Sequence, residues 1–206
     1  MHPNPTFRKA TQASALEFAS QRGFGILSIN GPDGPLAAHV PFIISPDGTY
    51  IEAHVMRSNP IARALATPQS ALLAVSGPDG YISPDWYGVE DQVPTWNYIA
   101  VHLRGQLQLL PQDDLRGILE RLSDEFEARL APKPIWKTEK VTPDALEKLM
   151  RMIVPIRFDI TSTDSTRKLA QNKPEAARQG AADGLETSNV GSELSTLAQM
   201  MREALD

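Results

Sequence analysis

Two stretches of the chain concentrate side chains able to do chemistry. Five of its seven Trp and Tyr residues fall between positions 81 and 98: Tyr81, Trp86, Tyr87, Trp96 and Tyr98. The same window holds Pro84 and Pro94, so residues 80–97 are expected to be irregular. Flat, amphipathic rings on a loop suit the covering of a planar ligand or the building of an interface. The plainer alternative is a hydrophobic loop that closes one end of a barrel. The second stretch is Ala53-His54-Val55-Met56-Arg57-Ser58-Asn59-Pro60. A strand should end here and a helix begin, with Asn59 as N-cap and Pro60 at the first helical position. Free N–H groups at a helix start, beside Arg57 and Ser58, would make a phosphate site. They would equally serve a simple capped helix with Arg57 in solvent.

Two weaker signals accompany these. His39, His54 and His102 fall in expected strands. Their separations match no metal-ligand spacing, so no metal site is expected. The run Arg167-Lys168-Leu169-Ala170-Gln171-Asn172-Lys173 is a basic patch in an acidic chain. It could hold a phosphate, contact nucleic acid, or be a solvated linker. No G-x-S-x-G, Walker A or G-x-G-x-x-G motif occurs, and no residue is assigned a catalytic role.

Composition narrows the classes. The 206 residues carry a formal net charge of -5, which argues against duplex DNA binding as the main activity. There is no cysteine, which removes disulfides, thiolate metal sites and a cysteine nucleophile. Residues 1–9 contain no apolar h-region and no stretch approaches membrane-spanning length, so a cytoplasmic protein is expected.

The elements that must position these residues are mostly strands. A helix is expected at 11–22, stopped by Gly23. A meander follows: 24–30, a Gly-Pro-Asp-Gly turn at 31–34, 35–45, a Pro-Asp-Gly turn at 46–48, and 49–55. Strands are expected at 70–77 and 98–110, and a final one at 156–162. Leu115, Ile118, Leu119, Leu122, Phe126 and Leu130 form one apolar face of a helix over 111–130. A further helix covers 143–153. The polar tail from 164 should carry helices near 174–185 and 192–204. On the last of these, Leu194, Leu197, Met201 and Leu205 form a stripe that needs a partner surface, either the barrel or a second subunit. Five or six short meandering strands suggest a small barrel, which removes exposed edges. The fold class is mainly β with flanking helices, in a domain over 1–185 and a helical tail over 186–206.

Several segments then resemble one family. GPDGYISPDWY (77–87), VPTWNYIAVHLRG (93–105), LAAHVPFII (36–44), AHVMRSNP (53–60) and KLAQNKP (168–174) are similar, in order and spacing, to the signature stretches of the PaiB-like FMN-binding negative transcriptional regulators. The resemblance implies an FMN-binding split β-barrel, related to the pyridoxamine-phosphate-oxidase-like flavoproteins, in a homodimer with FMN at the interface. It implies that His54, Arg57, Ser58 and Asn59 hold the FMN phosphate. Thr95, Trp96, Asn97 and Tyr98 would lie near the flavin, with His39 and His102 along the barrel wall, and Lys168, Gln171 and Asn172 would complete the site. The chain departs from the pattern at Ala170, where the family usually has Ser, and at Lys173, where it usually has Arg. The usual glycine-lysine approach before the C-terminal motif is missing, and 88–92 is short and acidic. The last twenty residues have no counterpart. The resemblance implies a regulator acting directly or indirectly through its flavin state. The alternatives are an FMN-dependent oxidoreductase of the reductase or oxidase type, a scaffold that has lost the ligand at Ala170, and, last, a haem protein.

Overall fold

The structure, a computed structural model, describes residues 1–204; Leu205 of the expected C-terminal stripe lies outside the described residues. The elements in chain order are α1 (Gln12–Arg22), β1 (Phe24–Gly31), β2 (Gly34–Ile44), β3 (Tyr50–Met56), α2 (Pro60–Ala64), β4 (Gln69–Ile82), β5 (Thr95–Leu109), α3 (Leu115–Ala128), α4 (Pro143–Arg151), β6 (Ile153–Lys168), α5 (Glu175–Glu186), β7 (Gly191–Ser192) and α6 (Leu194–Glu203). Short 3-10 turns lie at Pro5–Arg8, Pro84–Tyr87, Gln112–Asp114 and Thr138–Lys140. Among the described residues no helix is long and apolar enough to cross a membrane.

The strands form one sheet in the order β1-β2-β3-β6-β5-β4-β7, and β4 also pairs with β1, so six strands make a ring. β1 pairs antiparallel with β2, with Ile26 opposite His39, and with β4, with Ile26 opposite Ala74. β3 pairs with β6 along its whole length, His54 opposite Pro155. The chain divides into two compact units. The barrel unit comprises Leu16–Val75 and His102–Thr163. Alternation sends Leu27, Ile29, Val40, Phe42, Ile51, Ala53, Val55, Leu73, Leu103, Leu107, Ile156 and Phe158 into its core. Gly105 is required here: a Cβ on it would lie 1.8 Å from the Asp159 carbonyl oxygen of β6. α3 buries Leu115, Ile118 and Leu122, half of the six-residue stripe expected for it.

The second unit holds Met1–Ala15, Ser76–Val101 and the chain from Asp164. α5 buries Ala177, Ala181, Ala182 and Leu185, and α6 buries Leu197, Ala198 and Met201. The C-terminal stripe therefore finds its cover within its own chain. Small residues let Trp86 come close to α5: a Cβ on Gly184 would fall 2.3 Å from the indole.

Three strand boundaries differ from the expectation. β4 runs through Gly77-Pro78-Asp79-Gly80 to Ile82 instead of ending at 77. The buried phase shifts by one residue at Gly77 and Pro78, which are both buried. Such a slip is what a β-bulge produces and is where proline is tolerated inside a sheet. β5 begins at Thr95, so residues 95–97 are strand. β6 continues to Lys168, so the start of the basic patch is strand as well.

Candidate functional site

The basic patch and part of the aromatic window meet in the second unit. A cavity of about 230 Å³ is lined by Phe7, Tyr87, Asp91, Gln92, Val93, Thr95, Asn97, Lys168, Ala170, Asn172 and Lys173. Two local features shape it. β5 alternates, placing Thr95 and Asn97 in the phase of the buried Ile99 and Val101. After β6 the chain turns sharply at Ala170, which has φ 60°, a left-handed conformation that costs a non-glycine residue about 1–2 kcal/mol. Gln171 holds this turn: Leu169 N–H donates to its Oε1 at 2.8 Å, and its Nε2 donates to the Arg167 carbonyl at 2.6 Å. Gln171 faces a neighbouring cavity with Arg167 and Leu169, whereas Lys168, Ala170 and Asn172 line the first one.

The cavity is rich in donors. The Lys168 ammonium donates to the Thr95 hydroxyl, and the Lys173 ammonium to Gln92 Oε1. Lys173 also lies 5.3 Å from the centre of the Tyr87 ring. Burial, and then the Lys173 charge, hold the Lys168 pKa below its ordinary value. Asn97 is 1% exposed. Its Nδ2 donates to the Met201 sulfur of α6 at 3.4 Å, and its Oδ1 is buried with no hydrogen-bond partner. A buried acceptor left so costs about 1–3 kcal/mol.

Strand alternation divides the expected Thr95–Tyr98 cluster. Trp96 and Tyr98 have the opposite phase from Thr95 and Asn97, and Trp96 is 46% exposed. The Trp96 ring meets Tyr81 edge-on at 6.3 Å. Of the five aromatic residues in the window, only Tyr87 lines the cavity. Tyr87 and Lys173 belong to the aromatic window and the basic patch but not to the residues that the resemblance implies; Gln92 is singled out by nothing in the sequence, and Met201 is legible only as a member of a helical stripe.

The remaining expected residues belong to the barrel unit. Asn59 caps α2 as expected, its Oδ1 accepting from Ile61 N–H at 2.9 Å. Arg57 is tied to its own chain. Its Nε donates to the Arg151 carbonyl at 2.9 Å, and one terminal nitrogen donates to Gln112 Oε1 at 2.7 Å and the Ile153 carbonyl at 3.3 Å. Ser58 is exposed, and its carbonyl accepts from Arg63 at 2.6 Å. His54 has the outward phase of β3, and burial holds its pKa below the ordinary histidine value. His39 is exposed on β2 and stacks on Phe24 at 6.2 Å. His102 has the outward phase of β5. Among the described residues no group of three or more His, Asp or Glu could hold a metal ion.

Comparison with known proteins gives this geometry a setting. The chain is 29% identical over 204 residues to the protease synthase and sporulation protein PAI 2 of Bacillus subtilis, covering 98% of this chain and 97% of that one. Among solved structures, its fold is similar to an FAD- and haem-binding protein from Mycobacterium smegmatis, with TM-score 0.55, 17% identity, and 78% and 73% of the two chains covered. It is also similar to the flavocytochrome Anf3 from Azotobacter vinelandii, with TM-score 0.57, 15% identity, and 81% and 72% covered. The ring of mostly antiparallel strands with flanking helices is the split-barrel fold expected from the sequence. Residues 1–162 match the family described as "Putative FMN-binding domain", and the chain belongs to that family.

Proposed function

We propose that the protein binds FMN and acts as a PaiB-type regulator whose output depends on its flavin state. The observation that carries the reading is the cavity around Lys168, where the ammonium groups of Lys168 and Lys173 meet Thr95 and Asn172. FMN is an anion whose ring edge presents mainly acceptors, and two ammonium groups, a hydroxyl and a side-chain amide complement it. The family to which the chain belongs is named for that ligand. At about 230 Å³ the cavity is smaller than the roughly 300–1,000 Å³ of a pocket that encloses a whole ligand. It takes part of the cofactor, and a second copy of the chain supplies further surface.

The homodimer is part of the same proposal. β1 and β3 leave Phe24 53% exposed, Ile26 37% and Met56 45%, and apolar side chains exposed on one element after another are what a self-complementary interface covers. The residues of the barrel unit, His39, His54, Arg57, Ser58, Asn59 and His102, are proposed as the second set of cofactor contacts. Trp96, Tyr98 and Gln171 are proposed to frame the site without lining the cavity. The regulatory role is supported by the similarity to the sporulation protein PAI 2, and the net charge of -5 favours an effect on expression without direct DNA contact. A chain with no cysteine suits the reducing cytoplasm, where we place it.

Titration of FMN into the purified protein, followed by flavin fluorescence, tests the reading. Saturable binding is expected. Arg57→Ala should weaken it if the strand-to-helix corner takes part, by roughly 1.5–3 kcal/mol for a charge-assisted contact; unchanged affinity would remove the corner from the site. Adding NADH or NADPH to the complex separates the two functional readings. Catalytic bleaching of the flavin would replace the regulator with an oxidoreductase, since a bound flavin itself supplies the hydride chemistry.

A further inference from the structure

A second cavity lies in the same unit as the first. Lys168 and Ala170 line the first, whereas Arg167, Leu169 and Gln171 line this one. It holds about 400 Å³, within the roughly 300–1,000 Å³ of small-molecule sites. Its apolar wall comes from three pieces of chain: Phe7 and Ala10 near the N-terminus, Leu169 after β6, and Met200 and Ala204 at the end of α6. Its polar side chains are unequally engaged. Gln171 Nε2 is spent on the Arg167 carbonyl at 2.6 Å and the Thr6 carbonyl at 3.3 Å. Among the described residues the half-buried Arg167 guanidinium makes one hydrogen bond, a long one from Nη2 to the Ser14 carbonyl at 3.4 Å, so most of its five N–H donors remain. Lys9 adds a second cation to the lining. The one carboxylate there, on Glu203, accepts from Gln199 Nε2 at 2.9 Å. Two cations against one carboxylate give the cavity an excess of positive charge in a chain whose net charge is -5.

We propose that this cavity binds an organic anion with an apolar body, of the class of medium-chain carboxylates. The carboxylate pairs with Arg167, whose planar fork matches its two oxygens, and with Lys9. The hydrocarbon lies along Phe7, Leu169 and Met200. A small inorganic anion would leave that apolar wall in water, and a neutral hydrocarbon would leave the half-buried guanidinium without a counter-charge. An occupant with both parts satisfies both. Phe7 lines this cavity and the first alike, so the ligand lies against a wall of the proposed flavin site, yet the inference does not depend on FMN being bound. It gives α6 a binding role beyond the family match at residues 1–162.

The test is a calorimetric titration of octanoate into the full chain without flavin. Two controls accompany it: 1-octanol keeps the body without the charge, and acetate keeps the charge without the body. Octanoate should bind saturably, and each control about tenfold or more weakly. Arg167→Gln keeps an N–H for the Ser14 carbonyl and should retain a cooperative melt, while octanoate falls to the affinity of 1-octanol. Met200→Asp puts a like charge on the apolar wall without touching Arg167, and should weaken octanoate and 1-octanol together. Absence of octanoate binding to the wild type would overturn the inference, as would wild-type octanoate affinity in folded Arg167→Gln or Met200→Asp. Loss of octanoate in Lys168→Ala, with full binding in Arg167→Gln, would move the anion to the first cavity and overturn it as well. None of these results bears on whether FMN binds, which is read separately by its own titration.

Discussion

Lys168 is half-buried beside Lys173, and burial, then that neighbouring charge, hold its pKa below the ordinary lysine value of 10.5. In the unliganded protein the unfolded chain therefore holds the proton more tightly than the fold. Stability carries the penalty while Lys168 is charged, and recovers as pH rises from the folded value toward 10.5. An anionic or acceptor-rich ligand has the opposite preference and binds the charged form better. FMN affinity should thus decline as pH rises toward 10.5, starting below it. Lys168→Ala should weaken FMN by about 1.5–3 kcal/mol at pH 7 and abolish the alkaline decline. Fluorescence titrations across pH would check both, and a decline that survives in Lys168→Ala would assign the titration to another group. Lys168 could be singled out in the sequence because a cationic cluster stood out in an acidic chain. The unpaired Asn97 oxygen could not, because its state depends on Met201, more than a hundred residues away.

At the scale of elements, period-two alternation decides which neighbours in a strand share a fate. The sequence places Thr95, Trp96, Asn97 and Tyr98 together, and the strand separates them into two faces. That division was hidden because two prolines and the aromatic cluster made the segment read as a loop. The same cause concealed the length of β4: Gly77-Pro78-Asp79-Gly80 has the composition of a turn, and the sheet accommodates it through a one-residue slip in phase. The helix stops and the amphipathic α3 were legible because Gly23 and the apolar spacing depend only on local chain geometry. Gly105 gives an energetic test of the ring. A methyl group there meets the Asp159 carbonyl of the adjacent strand, and backbone cannot move aside as a flexible side chain can. Gly105→Ala should lower stability by at least about 1–3 kcal/mol, the usual cost of overpacking, read as a fall in melting temperature. A wild-type melt would mean that β5 and β6 do not approach this closely.

The family match ends at residue 162, whereas Lys168, Asn172, Lys173 and Met201 all follow it in the chain. The C-terminal helices bury α6 against their own unit and thereby bring Met201 to Asn97. Light scattering should give twice the chain mass for the protein in solution. Phe24→Glu, which puts a charge on the exposed apolar face of β1, should shift the mass toward one chain and weaken FMN together; a monomeric wild type would remove the dimer from the account. The most direct test of the central claim is the FMN titration of the wild type with the melting temperature recorded in parallel. The account predicts saturable binding and a thermal shift, since a ligand at 100 times its dissociation constant adds about 2.7 kcal/mol. A cooperative melt that FMN leaves unmoved, with no change in flavin fluorescence, would contradict it.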